Sequence, residues 1–295
     1  MDHNAQLYRG LLAIRRFETL LMAQFKTGIF PGTTHTSLGQ EANAVGVLTH
    51  LAEDDVVVSN HRCHGHFLAY GGNPQALFAE LMGKPSGVCG GVGGSQHLHW
   101  RNFYSSGVQG GTVAMAAGMA LAEKRAGRGA IVIDFMGDGT LGEGIVYECL
   151  NMISLWQLPI LLVLENNQIA QTTPASLAVA GSIQQRFAAF GIQTVELDSS
   201  DVLEILPLAG DLIRQVRSQR EPRALIVTTA RLGSHSKGDD TRSPRELERL
   251  WQARDPLTIQ AGRLSEDTRK AVEADVEAAI QGAFAAALAA EGGMR

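Results

Sequence analysis

The chain has 295 residues, 45% hydrophobic and 19% charged, enough to bury a sizeable core and ordinary for a globular protein. Its formal net charge of −5 excludes the basic footprint of a nucleic-acid binder, and its longest apolar run, Leu158–Leu164, falls far below the ~20 residues of a membrane helix. Three cysteines without a C-x-x-C pair (Cys63, Cys89, Cys149) exclude a disulfide frame or zinc site and point to a reducing compartment. The opening Met1-Asp2-His3-Asn4 carries no secretory pattern, so a cytoplasmic protein without membrane partners is expected.

In chain order, Leu7, Leu11, Leu12, Ile14, Phe17, Leu21 and Phe25 recur at helical spacing, predicting a helix over residues 5–28. A second helix is expected at 39–52 and a short buried strand at Val56-Val57-Val58. Asn73-Pro74 starts a helix that runs to about Met82. Glycine then clusters over Gly83–Gly118, among 33 in the chain, and the stretch up to Gly110 reads as an ordered loop over a site. An alanine-rich helix (112–125) leads to a strand at 130–136, the turn Gly137-Asp138-Gly139, a helix from Glu143 to Trp156, and the strand Ile160–Glu165 ending at Asn166-Asn167. That is a βαβ unit, whose strands must run parallel. A strand at 194–197, a helix at 201–218, the strand Ala224–Thr229 and a helix at 266–291 continue the alternation. The reading is one α/β domain over residues 1–295: a parallel sheet covered by helices on both faces, with an N-terminal helical arm and a C-terminal helix.

Chemistry concentrates at the strand ends. In an open parallel sheet, ligands bind beyond the carboxyl ends of the strands; Asp138 and Asn167 both fall there. A carboxylate, an amide oxygen and a main-chain carbonyl form an all-oxygen set suited to Mg²⁺ or Ca²⁺. Gly137 and Gly139 let backbone approach a diphosphate, and the following helix offers its positive end.

Gly137-Asp138-Gly139…Asn166-Asn167 resembles the thiamine diphosphate motif. Beyond it, Gly39-Gln40-Glu41-Ala42, Arg62-x-His64-Gly65, Gly93-Gly94-Ser95-x-His97-Leu98 and Glu148-x-x-Asn151-Met152, with Trp156 and Leu158-Pro159, resemble the alpha subunit of the decarboxylating first component of 2-oxo acid dehydrogenase complexes (pyruvate, branched-chain and acetoin types). The likeness runs from about Leu7 to Leu257. It implies a thiamine diphosphate-binding fold, with Asp138, the Asn167 side chain and the Ile169 main-chain oxygen as Mg²⁺ ligands. It also implies that Arg62 binds the diphosphate, helped by His61. Gly107, Gln109, Gly137, Gly139 and Thr140 match cofactor-contacting positions. His35 matches a histidine at the substrate end of the channel, and His235, followed by Asp239 and flanked by Arg231 and Arg242, matches the active-site loop. His64, His66, His97 and His99 look like a metal cluster, but the same likeness assigns His64 and the Gly-Ser-x-His97-Leu segment to loop structure and active-site lining, which argues against zinc.

The resemblance further implies a separate beta subunit that supplies the activating glutamate, an α2β2 assembly, a small-molecule 2-oxo acid substrate and a lipoyl acyltransferase as acceptor. The pattern is departed from in three ways: Gln109 stands for a valine, His61 and Ile169 stand for tyrosines, and the His235 loop is short, with Asp239-Asp240 in place of Asp-Pro. These changes favour an alternative on the same scaffold, a split transketolase-like or acyl-transferring thiamine enzyme of specialised metabolism that works without lipoate.

Overall fold

The computed structural model describes residues 2–236 and 238–292; the outermost residues of the expected 1–295 domain lie outside them. The strands are β1 (Val56–Ser59), β2 (His99–Trp100), β3 (Phe103–Ser105), β4 (Val132–Gly137), β5 (Ile160–Asn166), β6 (Ile169–Ala170), β7 (Thr173–Pro174), β8 (Gln193–Asp198) and β9 (Arg223–Thr228). Seven of them form one sheet in the order β2-β3-β1-β4-β5-β9-β8, parallel except for the β2–β3 pair. β6 and β7 pair separately as a small antiparallel hairpin.

Both faces of the sheet are apolar because alternate residues of each strand point to opposite sides. Ile133, Phe135, Leu161, Val163, Leu225 and Val227 join a core with the helices His3–Phe25, Glu41–Leu48, Pro74–Leu81, Val202–Gln219 and Glu266–Ala289. Val132, Met136, Ile160, Leu162, Leu164 and Ile226 face the helices Gln109–Ala126 and Gly144–Leu155 on the other side. Each fully buried aliphatic side chain contributes roughly 1.5–3 kcal/mol, so the two layers lock the strand ends in place. One polar group intrudes: Asp134 is fully buried in β4, and neither carboxylate oxygen has a hydrogen-bond partner.

The α/β sandwich expected from the alternation is present, with shifted boundaries and added elements. The first helix spans His3–Phe25 and the last Glu266–Ala289. The glycine-rich stretch holds the β2–β3 hairpin, and its following helix begins at Gln109. Short helices at Cys63–Ala69, Ala175–Ala178, Ile183–Ala188, Pro244–Arg254 and Pro256–Ala261 were not expected. Among the described residues no helix is long and apolar enough to cross a membrane, and all three cysteines are free.

The strand order reverses beside β1: the chain runs from β1 outward to β3, then returns to place β4 on its other side. Such a reversal opens a crevice at the carboxyl edge. In register, Gly137 of β4 lies opposite Glu165 of β5, which brings Asp138 and Asn167 to the same edge.

Candidate active site

A cleft of about 270 Å³ sits at that edge, lined in part by Asn60, His61 and Arg62 after β1, Gly137–Thr140 after β4 and Glu165, Asn167 and Ile169 at β5 and beyond. Gln109 and His235 close its sides. Nine of the residues singled out from sequence therefore meet at the cleft in addition to Gly137: His61, Arg62, Gln109, Asp138, Gly139, Thr140, Asn167, Ile169 and His235. A second cleft of about 490 Å³ adjoins it through Asn167 and Ile169 and is lined by Arg231, Arg242 and Arg254.

Asp138 begins a 3-10 turn, Asp138–Gly142, that separates β4 from the helix Gly144–Leu155. One of its oxygens accepts from the Gly139 amide at 2.9 Å. The other, Oδ2, and the Thr140 hydroxyl are buried without a hydrogen-bond partner. Burial raises the Asp138 carboxyl above its ordinary range, against the pull of backbone amides and of Arg231 and Arg62. A cation at this carboxylate would relieve that cost. Gly139 has to be glycine for space: a Cβ there would stand 2.8 Å from that of Ala170. Asn167 is held by its own turn, its Oδ1 accepting from Ile169 N at 3.2 Å and its Nδ2 donating to Gln40 at 3.3 Å.

Arg62 is 4% exposed and ion-pairs with no carboxylate among the described residues. It donates to the Thr36 carbonyl at 2.7 Å and to His235 Nδ1 at 3.0 Å. Burial, then the field of Arg231, lowers its pKa to about 9. A buried guanidinium without an ion-pair partner is costly unless an anion completes it. Arg231 is similar: it is 1% exposed, among the described residues it donates only to the carbonyls of Gly233 and Gln171, and burial lowers its pKa.

Glu165, not singled out from sequence, is the fixed anion of the site. Burial works to raise its pKa, but His66 with the amides of Asn43 (3.0 Å) and Asn60 (3.1 Å) outweighs that and holds it low. Nothing in Leu164-Glu165-Asn166 marks this role, because the partners come from distant helices and loops.

His35, His61 and His235 converge, with ring centroids 4.6–5.3 Å apart. Burial, with the field of Arg62, pulls His35 down to about 3 and His235 to about 4, and holds His61 well below its usual value. All three are neutral near pH 7. Gly107 does not line the cleft; the space a Cβ would fill there is taken by Gln96 Oε1 at 2.1 Å. Of the other histidines, His64 is buried between Glu18 and Ser95, His66 stacks on Phe135, and His99 stacks on Tyr104.

A doubly covered parallel sheet, a Gly-Asp-Gly turn with unmatched oxygens and a buried arginine without an ion pair among the described residues meet at a strand-order reversal, the place where open α/β sheets bind ligands. The family profile described as "Dehydrogenase E1 component" matches residues 9–292, and the chain belongs to that family. It is 36% identical to the alpha subunit of acetoin:2,6-dichlorophenolindophenol oxidoreductase of Cupriavidus necator, over 96% of this chain and 89% of that one. It is 34% identical to the pyruvate dehydrogenase E1 component subunit alpha of Rhizobium meliloti, over 93% and 82%, and 38% to that of Zymomonas mobilis, over 85% and 73%. The class expected from the motifs, alpha-type subunits of thiamine diphosphate-dependent 2-oxo acid dehydrogenases, is the class found.

Proposed function

We propose that this cleft holds the diphosphate of thiamine diphosphate through Mg²⁺ and that, with a separate beta subunit in an α2β2 assembly, it decarboxylates a 2-oxo acid and passes the acyl group to a lipoyl carrier. One observation carries the reading: Asp138 Oδ2 and the Thr140 hydroxyl, buried and unpartnered, share a cleft with a buried arginine that makes no ion pair among the described residues. Asp138 would hold the divalent cation and Arg62 the phosphate oxygens, which would give the orphaned carboxylate and the guanidinium partners of opposite charge. Asn167 and the main-chain oxygen of Ile169 complete an all-oxygen set, hard ligands suited to magnesium.

When bound, thiamine diphosphate supplies the electron sink for decarboxylation. The residues of this chain bind, orient and exclude water. The cleft-lining carboxylates Glu143 and Glu165 are both engaged, Glu143 by the Gly110 amide at 3.1 Å and Glu165 by Asn43 and Asn60. We assign the activating glutamate to a separate beta subunit because the likeness to subunits named alpha implies one. His35 and His235, neutral and near the cleft, are the groups we place at the substrate. The free cysteines support a reducing, cytoplasmic setting.

Calorimetry on the co-purified alpha–beta pair tests the metal assignment. Asp138→Ala is expected to abolish Mg²⁺-dependent cofactor binding, and unchanged affinity would refute it. The isolated chain is expected to be inactive. A second acceptor chemistry, acyl transfer without lipoate, is favoured by Gln109 and His61, which bring polar groups to the cleft wall. A panel of 2-oxo acids and ketoses, run with and without a lipoyl domain, separates the two.

A further inference from the structure

Three histidines within 4.8 Å of one another invite a transition-metal reading, but their hydrogen bonds argue otherwise. A guanidinium has donors and no acceptor, so His235 Nδ1, 3.0 Å from Arg62 Nη2, must accept. A neutral ring that accepts at Nδ1 carries its proton on Nε2. His35 is set the same way, its Nδ1 lying 2.9 Å from the Gln96 amide nitrogen. Metal-binding histidines show the reverse: the second nitrogen donates outward and leaves the first a lone pair. These two rings offer N–H groups, not lone pairs.

Gln96 is held through its backbone and its neighbour. Its carbonyl accepts from the Ser105 hydroxyl at 2.9 Å. Its side-chain oxygen occupies the space that the absent Cβ of Gly107 leaves open. The neighbouring Ser95 hydroxyl bonds His64 Nε2 at 3.0 Å, and His64 Nδ1 in turn faces the fully buried Glu18 at 3.2 Å. A buried Glu18–His64–Ser95 chain therefore pins the glycine-rich loop to the helix His3–Phe25 and aims the Gln96 amide at His35.

We propose that Gln96 is a positioning residue that, with Arg62, fixes His35 and His235 in their Nε2–H tautomers, so that the two rings act as paired neutral donors to an oxygen-bearing group of the substrate, a carboxylate or carbonyl. Their neutrality, set by burial and by Arg62, is what gives the tautomer meaning. The inference rests on the function proposed above for its substrate, but not for its tautomers.

The test uses the alpha–beta assembly with ¹⁵N-histidine in this chain, comparing wild type with Gln96→Glu, which only accepts, and Gln96→Met, which does neither. Wild-type His35 is expected to show an unprotonated Nδ1; Gln96→Glu inverts it to Nδ1–H, and Gln96→Met leaves a mixture. kcat/KM for the 2-oxo acid is expected to fall roughly 10²-fold in Gln96→Glu, the scale of a misplaced proton donor, with cofactor affinity and Tm retained. A wild-type His35 protonated at Nδ1 overturns the proposal, as does Gln96→Glu with unchanged kcat/KM. If wild type consumes no 2-oxo acid while the tautomers behave as described, the functional reading fails and the positioning device stands.

Discussion

Asp134→Asn is expected to remove a pH dependence that wild type carries across the neutral range. Asp134 is fully buried in β4 with both oxygens unpartnered, and burial alone raises its carboxyl to about 8, against about 3.9 in an unfolded chain. The unfolded chain releases this proton above pH 4, whereas the folded chain holds it until about pH 8. The folded state thus binds more protons across that window, and stability falls as pH rises through it, by up to roughly 1.4 kcal/mol per unit. Asparagine has no proton to release. The advantage of Asp134→Asn over wild type should therefore grow by about 4 kcal/mol between pH 5 and pH 8, on top of a constant offset from the amide. Urea denaturation of both proteins at pH 5, 6, 7 and 8 measures this, and the histidines cancel because both chains share them. A difference that stays flat with pH would show that Asp134 ionises freely and that its burial imposes no protonation.

Two further outcomes concern stability. His35 and His235 have folded pKa values near 3 and 4, below the ordinary ~6.5. Their contribution is present above pH 6.5 and is lost as pH falls toward 4; His35→Gln/His235→Gln should flatten the acid limb by on the order of 2 kcal/mol between pH 7 and 5, after discounting the half-buried His235 for solvent, and an unchanged limb refutes the assignment. Arg15 ties the first helix to Glu41 at 2.6 Å and to Asp255 at 2.8 Å, with Glu41 fully buried. Arg15→Met should cost about 3–5 kcal/mol by leaving Glu41 unpaired, and Arg15→Met/Glu41→Gln should recover much of it; urea titration reads both, and additive losses would mean the pair is not coupled.

The sheet was legible because its strands are unusually apolar. Ile160–Leu164 is buried on both faces, and such a run has no other stable place than the middle of a covered sheet. Gly137-Asp138-Gly139 marked the turn for the same reason: glycine frees the backbone where Ala170 presses in. The β2–β3 hairpin was hidden because Arg101, not glycine or asparagine, takes the positive φ of its turn, so the usual signal is absent. The β6–β7 hairpin repeats this with Gln171. At the site, Asp138 and Asn167 could be paired from sequence because one βαβ unit carries both. The meeting of His35 with His235 could not, since it depends on where the β9 exit and the loop before Glu41 come to rest in three dimensions.

Charge distribution around the cleft links these pieces. Arg62 and Arg231 are buried with carbonyls and a neutral ring as partners, and Asp138 and Thr140 keep oxygens with no partner. An isolated chain bears the desolvation of each of these groups without return. On the proposed function, a diphosphate with a divalent cation would offer oxygens to the arginines and a positive centre to Asp138, so that one ligand would settle charges of both signs. The histidines stay neutral beside them chiefly because they are buried, and the Arg62 guanidinium further disfavours a positive charge at His35 and His235. Arg62 thereby serves both ends of the site. On the proposed function it would supply the positive field for the cofactor's anchor, and by donating to His235 Nδ1 it places that ring's proton on Nε2.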